Sequence, residues 1–322
     1  MTVSAQPDVW HFLPGDAEFL QQSLAGTSRT FALAIPLLEP ARRFRVGLTY
    51  LLFRVADSIE DAADADSSLK IRLLSTLELA LSTAASPSDL SDLVGLWPSD
   101  TAVEQLMRAT PRLLHLFHQL PPAHADVIRR SLCGTLTGMK AFLSGSVGTE
   151  RQISIESISD LRLYCYSVAG IVGELLTDLF VLEHSCPPDV AQHLRELAVA
   201  FGEFLQLINI LKDSDGDLSD GRVFIPSGAT RQAVTEIALS SHHDAARYLK
   251  LLEIWNFPSD ILAFCRFIFL LAEGSLECLQ QSGPGSKLGR ATVLQILSRC
   301  VDSVQTAHHP FLSPHGEGLK GA

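Results

Sequence analysis

Apolar residues spaced three and four apart recur in ten successive segments of this chain, and no segment alternates apolar with polar residues as a half-buried strand does. The segments lie at about 16–24, 40–63, 68–84, 102–119, 122–143, 157–182, 189–217, 231–251, 258–281 and 288–307. Such a pattern folds as helices packed on helices, so an all-α fold is expected. Helix breakers fall between the segments: Pro87, Pro98, Pro121-Pro122, Pro187-Pro188, Pro226, Pro258 and the turn Gly283-Pro284-Gly285. These breaks are inter-helix loops rather than domain linkers, and no internal repeat is evident. With 322 residues, 47% hydrophobic and 7% aromatic, one large core suits the chain better than two small ones and leaves room for a deep cavity. A single domain over 1–322 is expected, its core at about 16–307 and its ends frayed.

Segment 40–63 keeps Phe44, Leu48, Leu51, Leu52, Val55 and Ile59 on one face. The other face carries Tyr50, Arg54, Asp57 and Asp61, with Glu60 beside them. Three crowded carboxylates repel one another, and a divalent cation cancels that repulsion. Hard oxygen ligands with few protein contacts are what Mg²⁺ uses when it bridges to a substrate phosphate. Segment 189–217 repeats the device: Gly202, Gln206, Asn209, Asp213 and Asp217 fall on one stripe, and almost everything else up to Leu211 is apolar. A polar stripe on a buried helix needs a partner, so it faces a cavity. Either cluster alone reads as readily as a solvated helix end in a chain with 36 Asp and Glu. Two clusters on apolar helices, each with a cation beside its acids (Arg54, Lys212), read as facing halves of a metal-assisted diphosphate site.

Between them lies Tyr164-Cys165-Tyr166-Ser167-Val168-Ala169-Gly170-Ile171-Val172-Gly173. Small residues at 167, 169, 170 and 173 let something approach the helix backbone closely. That is either a packed neighbouring helix or a long apolar substrate, with Tyr164 supplying a hydroxyl, and neither reading excludes the other.

A net charge of −11 argues against a nucleic-acid partner and leaves anionic substrates to metal ions and local basic residues. Cys133, Cys165, Cys186, Cys265, Cys278 and Cys300 include no CxxC pair and read as reduced thiols of a cytoplasmic protein. Met1 to Gly15 lacks the features of a signal peptide, and the most apolar stretch, Ile261 to Ala272, is short and contains Arg266. A soluble monomer without a transmembrane segment is expected, with transient contact at a membrane surface left open. His115, His118, His242 and His243 have no metal-ligand spacing, Phe264, Phe267 and Phe269 read as core, and Ser86 to Asp100 reads as a solvated loop.

Taken in order, these elements resemble the squalene and phytoene synthases, head-to-head condensing isoprenoid enzymes, over about residues 20–300. The resemblance rests on Thr27-Ser28-Arg29-Thr30-Phe31, on Tyr50 with Arg54 and Asp57-x-x-Glu60-Asp61, and on Met139 to Leu143. It continues through Tyr164 to Gly173 and Gln206-x-x-Asn209-Ile210-Leu211-Lys212-Asp213, leading to Asp217 and Gly221-Arg222. The form of the first motif and the run Tyr164 to Phe180 are more like squalene synthases. The resemblance implies an all-α isoprenoid-synthase fold around a central cavity. It also implies two farnesyl diphosphates joined through presqualene diphosphate and then reduced by NADPH to squalene. By similarity, Asp57, Glu60, Asp61, Asp213 and Asp217 hold Mg²⁺, and Tyr164 joins the four aspartates in catalysis. Ser28, Arg29, Phe31, Tyr50, Arg54, Gln206, Asn209, Lys212 and Arg222 bind substrate, while Arg29, Arg54, Lys212, Lys287 and Arg290 take the cofactor phosphates. No G-x-G-x-x-G follows a strand, so a Rossmann nucleotide site is not expected, and Gly283-x-Gly285 reads as a turn.

The chain departs from the family pattern at four places. Gly216 stands where the family commonly has Glu, with Asp215 as a candidate substitute, and Lys212 replaces a usual Arg. Gly289 replaces a basic residue, and no Lys or Arg occurs between Ser75 and Met107, where the family often has a phosphate-binding lysine. A C-terminal anchor is not seen, which fits a bacterial-type soluble enzyme. A non-reductive relative, giving presqualene diphosphate, dehydrosqualene, hydroxysqualene or phytoene, is the close alternative. A catalytically dead lipid-binding protein on the same fold is the distant one. Chain length stays open, because it depends on cavity depth.

Overall fold

A computed structural model describes residues 13–28, 30–62, 65–83, 101–145 and 153–307. Their helices are α1 (Pro14–Thr27), α2 (Phe31–Ala34, running into a 3₁₀ turn at Ile35–Leu37), α3 (Pro40–Glu60), α4 (Ser67–Ser82), α5 (Ala102–His118) and α6 (Pro122–Gly145). There follow α7 (Ile158–Cys165), a π turn (Tyr166–Gly170), α8 (Ile171–Glu183), α9 (Pro188–Ser219), α10 (Arg231–Ile254), α11 (Ser259–Ser282) and α12 (Arg290–Ala307). The ten periodic segments therefore appear as helices, with the 157–182 segment broken by the π turn. Two features had no periodic signal: the short α2, and a two-residue parallel pairing of β1 (Ile153–Ser154) with β2 (Arg222–Val223).

Local chemistry sets the helix starts. Asp66, Thr101, Ser157 and Thr230 each accept a hydrogen bond from the backbone N–H three residues on, satisfying a donor the helix leaves open. Pro40 and Pro188 open α3 and α9, where a missing N–H costs nothing. α3 is the axis of the core: Leu48, Leu51, Leu52, Val55, Ala56 and Ile59 are wholly buried on it.

The rod formed by α7, the π turn and α8 packs between α6 and α9. A Cβ at Gly173 would lie 2.1 Å from the Ala198 carbonyl oxygen, and one at Gly202 would lie 2.2 Å from that of Ala169. The backbones of α8 and α9 touch, so tight helix packing is one use of the small residues. Val168, Val172, Leu176 and Phe180 on the same rod line a cavity, which is the other. A stripe spaced by four drifts around a helix of 3.6 residues per turn, and the wider π turn takes up part of that drift.

Ile158–Glu183 is, among the described residues, the helical unit long and apolar enough to cross a membrane by length and composition. It exceeds the shorter Ile261 to Ala272 stretch, but its apolar side chains serve as cavity wall and packing surface. An ion pair ties the rod further: exposed Arg162 donates to both carboxylate oxygens of the buried Glu203 at 2.8 and 3.1 Å, and Ser241 Oγ donates to Glu203 at 2.6 Å. Three helices, α7, α9 and α10, meet at that one carboxylate. The six cysteines are thiols, not joined to one another in disulfides.

The glycine contacts make a paired prediction. Gly173→Ala must push two backbones apart and should cost about 3 kcal/mol or more in urea unfolding. Gly216→Ala meets nothing within 4 Å in a helix and should stabilise by about 1 kcal/mol.

Candidate active site

The helices α3, α8, α9, α10 and α11 enclose a cavity of about 280 Å³. α3 and α9 both run toward its polar end, which Asp57, Gln206 and Asn209 reach, while α8 runs the opposite way and delivers Phe180 to the far end. Between the ends the walls are apolar, with Tyr50, Phe53, Val172 and Leu205 among them.

The two acidic motifs meet at the polar end. Gly221, with φ +77°, turns the chain back sharply after α9, and the short β1–β2 pairing holds the next residue, Arg222, in place. Its guanidinium donates to Asp217 at 2.8 Å, to Asp61 at 3.3 Å and to Asp220 at 3.3 Å. One cation thus touches both motifs, which places their carboxylates within reach of a single polyanion. Arg54 stands 3.8 Å from Asp57, and Lys212 lies 3.3 Å from Asp213 while donating to Asn209 Oδ1 at 3.1 Å.

Burial dominates the protonation of this end. It raises the Asp57 carboxyl to about 7, against the pull of Arg54 and with a further push from Asp61. Glu60 is raised to about 8, again chiefly by burial and then by Asp61 and Asp57, and its Oε1 has no hydrogen-bond partner. Asp217 is also raised by burial in spite of Arg222. Tyr164 is wedged between Phe142 and Phe224, with ring centroids at 5.3 and 5.0 Å. Burial and then the charges of Glu60, Asp61 and Asp57 hold its phenol well above the usual value, so it stays a proton donor. At the side of the cavity Ser28 Oγ accepts from the Phe31 N–H at 2.9 Å and hydrogen-bonds Tyr50, whose ring lies 4.9 Å from that of Phe31.

Not every expected residue joins this group. Arg29 and the stretch Ser86 to Asp100 lie outside the described residues. Asp215, the candidate substitute for the acid missing at Gly216, is exposed and paired with Arg231. Lys287 and Arg290 are exposed, but the turn before them is tied to the second motif, because the Gly285 N–H donates to the Lys212 carbonyl at 2.8 Å. His118 and His242 are held by the Ala80 carbonyl and by Glu273.

Lys70 is the group that motif reading missed. It is 1% exposed, and its Nζ donates to the Glu60 carbonyl at 2.7 Å, at the end of α3. Its signal was available: it occupies a helix face otherwise made of Leu73, Leu74, Leu77 and Leu81. Phe142 and Phe224 had no comparable signal.

Among the described residues, no three His, Cys, Asp or Glu side chains converge into a metal site complete in itself. The carboxylate oxygens of Asp57, Asp61 and Asp217 still suit a hard cation, provided that a ligand's oxygens and water complete the shell, and Glu60 Oε1, buried without a hydrogen-bond partner, is a further candidate.

Comparison with known proteins places this arrangement. Residues 24–252 match the squalene/phytoene synthase family. A squalene synthase of Candida albicans is 34% identical over 201 residues, which cover 62% of this chain and 43% of that protein, so the match spans less than half of the relative's length. In overall fold the chain is similar to the solved structure of TcSQS with a ligand (TM-score 0.73, 22% identity, covering 91% of this chain and 89% of that one). It is also similar to squalene synthase HpnC from Alicyclobacillus acidocaldarius (TM-score 0.55, 18% identity, 84% and 94%).

The buried acids predict a pH response of the metal-free protein. Glu60 keeps its proton in the fold to about 8, whereas its ordinary value is 4.5. Between those values the unfolded chain has lost a proton that the native state retains, so stability falls as pH rises through the window. Thermal melting in chelator should show the midpoint dropping between about pH 5 and pH 8, and Glu60→Gln should flatten the drop.

Proposed function

The chain belongs to the squalene/phytoene synthase family, and from that premise we propose that it joins two farnesyl diphosphates through presqualene diphosphate and reduces the product to squalene with NADPH. One observation carries the reading: Arg222 binds Asp61 of one motif and Asp217 of the other at the mouth of an apolar cavity. Two acidic motifs sharing one mouth are suited to a diphosphate held through metal ions.

In this reading Asp57, Glu60, Asp61, Asp213 and Asp217 hold Mg²⁺ together with diphosphate oxygens and water. The ions would draw charge from the diphosphate and make it a better leaving group. Arg54, Lys212 and Arg222 offset the remaining negative charge, and the protonated Tyr164 donates a hydrogen bond toward the departing group. Gln206 and Asn209 orient the substrate head below it. Ser28 fixes Tyr50, and the rings of Phe31, Tyr50 and Phe53 line the cavity in which an allylic cation would form away from water. NADPH supplies hydride in the second half. Lys287 and Arg290, beside the turn tied to Lys212, take its phosphates together with Arg29, Arg54 and Lys212. The protein is read as a cytoplasmic monomer with at most peripheral membrane contact.

Incubation with C15 diphosphate and Mg²⁺, with and without NADPH, tests this by mass spectrometry. Squalene is expected only with NADPH, and absence of any C30 product overturns the reading. Dehydrosqualene or hydroxysqualene with NADPH present assigns a non-reductive synthase instead. Asp57→Asn and Asp213→Asn should each lower turnover on the order of 10²–10³-fold or more while circular dichroism and melting stay native-like. Full activity under saturating Mg²⁺ would make these acids structural.

Replacing Lys287 and Arg290 together with Ala should cut squalene while presqualene diphosphate still forms and accumulates, because an interaction used only in the hydride step should affect only that step. Parallel loss of both products would place the pair in folding or in diphosphate binding.

A further inference from the structure

The end of α3 carries Glu60 and Asp61, and a buried amine holds it from the side. A helix leaves its last four carbonyls without partners of its own. Here the Asp57 carbonyl accepts from the Asp61 N–H at 2.8 Å, and the Ile59 carbonyl from the Ala62 N–H at 3.4 Å. The Glu60 carbonyl accepts from Lys70 Nζ at 2.7 Å, which joins the last residue of α3 to the first turns of α4.

The amine is fixed before it reaches that carbonyl. The Asp66 carboxylate caps α4 by accepting from the Leu69 N–H at 2.7 Å, and the Asp66 carbonyl accepts from the Lys70 N–H at 3.0 Å. Lys70 shares one face of α4 with Leu73, Leu74 and Leu77, all buried. Lysine rarely stands at such a position, because its amine is ordinarily left in water. Burial draws this amine's pKa down, while Asp61 and Glu60 push it up and Arg222 pulls it down, so the charges of the first motif are felt there. Glu60 Oε1 is buried without a hydrogen-bond partner, so no bond at that atom sets where the carboxylate lies. The bond at the Glu60 carbonyl fixes the backbone from which it projects.

Two effects on a divalent cation at these acids oppose one another. As a charge the ammonium repels the cation, and as a donor it orients the turn that presents the ligands. The repulsion is blunted, because the same ammonium sits on the negative end of a helix. Partners that orient metal ligands from behind are worth roughly 10–100-fold in metal affinity, so orientation should win. We propose that Lys70 is a positioning residue: by bonding the Glu60 carbonyl it holds the last turn of α3 so that Glu60 and Asp61 present their carboxylates together, and Mg²⁺ binding at the mouth depends on it. The inference rests on the reading of these acids as ligands of a metal–diphosphate cluster.

The test measures calorimetric binding of an unreactive C15 thiodiphosphate analogue across a Mg²⁺ series, beside turnover across the same series. Lys70→Met keeps the length of the side chain and removes the donor. Its half-saturating Mg²⁺ should rise roughly 10–100-fold in both readouts, while turnover at saturating Mg²⁺ approaches that of the unmodified protein. Leu74→Ala removes packing from the same face of α4 and should lower the melting midpoint without moving the Mg²⁺ dependence. If Lys70→Met melts below the assay temperature, Lys70→Gln, which keeps a donor, takes its place and should show a smaller rise. The proposal is overturned if the folded variant keeps the unmodified Mg²⁺ dependence, or if Leu74→Ala shifts it as far. It is equally overturned if the variant binds Mg²⁺ more tightly, which would make the amine a competing charge. An unmodified protein that binds the analogue no better in Mg²⁺ than in chelator removes the metal reading of the acids, and this inference with it.

Discussion

Carboxylates gathered at the carboxyl ends of two buried helices are the constraint around which this structure is arranged. Glu60 ends α3 and Asp61 caps it, while Asp213 and Asp217 stand in the last turns of α9. A helix carries partial negative charge at that end, so each acid adds to a potential already unfavourable to it. Burial then makes the charged forms costlier still, as the raised values of Asp57 and Glu60 record. Cations answer at every side: Arg54 and Lys212 beside their own motifs, Arg222 across both, and Lys70 on the last carbonyl of α3. Glu60 Oε1, at the end of α3, is buried and has no hydrogen-bond partner.

The apolar part of the molecule supplies the complementary condition, a dry space adjoining that charge. It exists because α8 and α9 approach until backbone meets backbone at Gly173 and Gly202, which leaves the larger side chains of the rod to face the cavity. The Arg162–Glu203–Ser241 group fixes α7, α9 and α10, because the buried Glu203 carboxylate accepts from Ser241 and from the exposed Arg162.

Much of the site could be read from residue order because each motif lies within one helix. The spacing of Tyr50, Arg54, Asp57 and Asp61 puts them on one face whatever the rest of the chain does, and the same holds for Gly202, Gln206, Asn209 and Asp213. Asp215 shows the limit of this reasoning. One position in sequence is about 100° around a helix, and that rotation pairs its carboxylate with Arg231 rather than with Arg222. Lys70 shows a second limit: a lysine on an apolar stripe marks a buried amine, but not the carbonyl it will meet.

By itself the sequence determined the helices, their apolar faces, the two acidic stripes and the family, because these depend on spacings of three and four residues along one chain segment. Only the tertiary structure decided which charges meet, since Arg222 reaches Asp61 across 161 positions of sequence. It also decided what lines the cavity, because Phe180, Tyr248 and Phe264 come from three different helices. Pairings of that kind follow from how helices pack against one another, and no local periodicity encodes them.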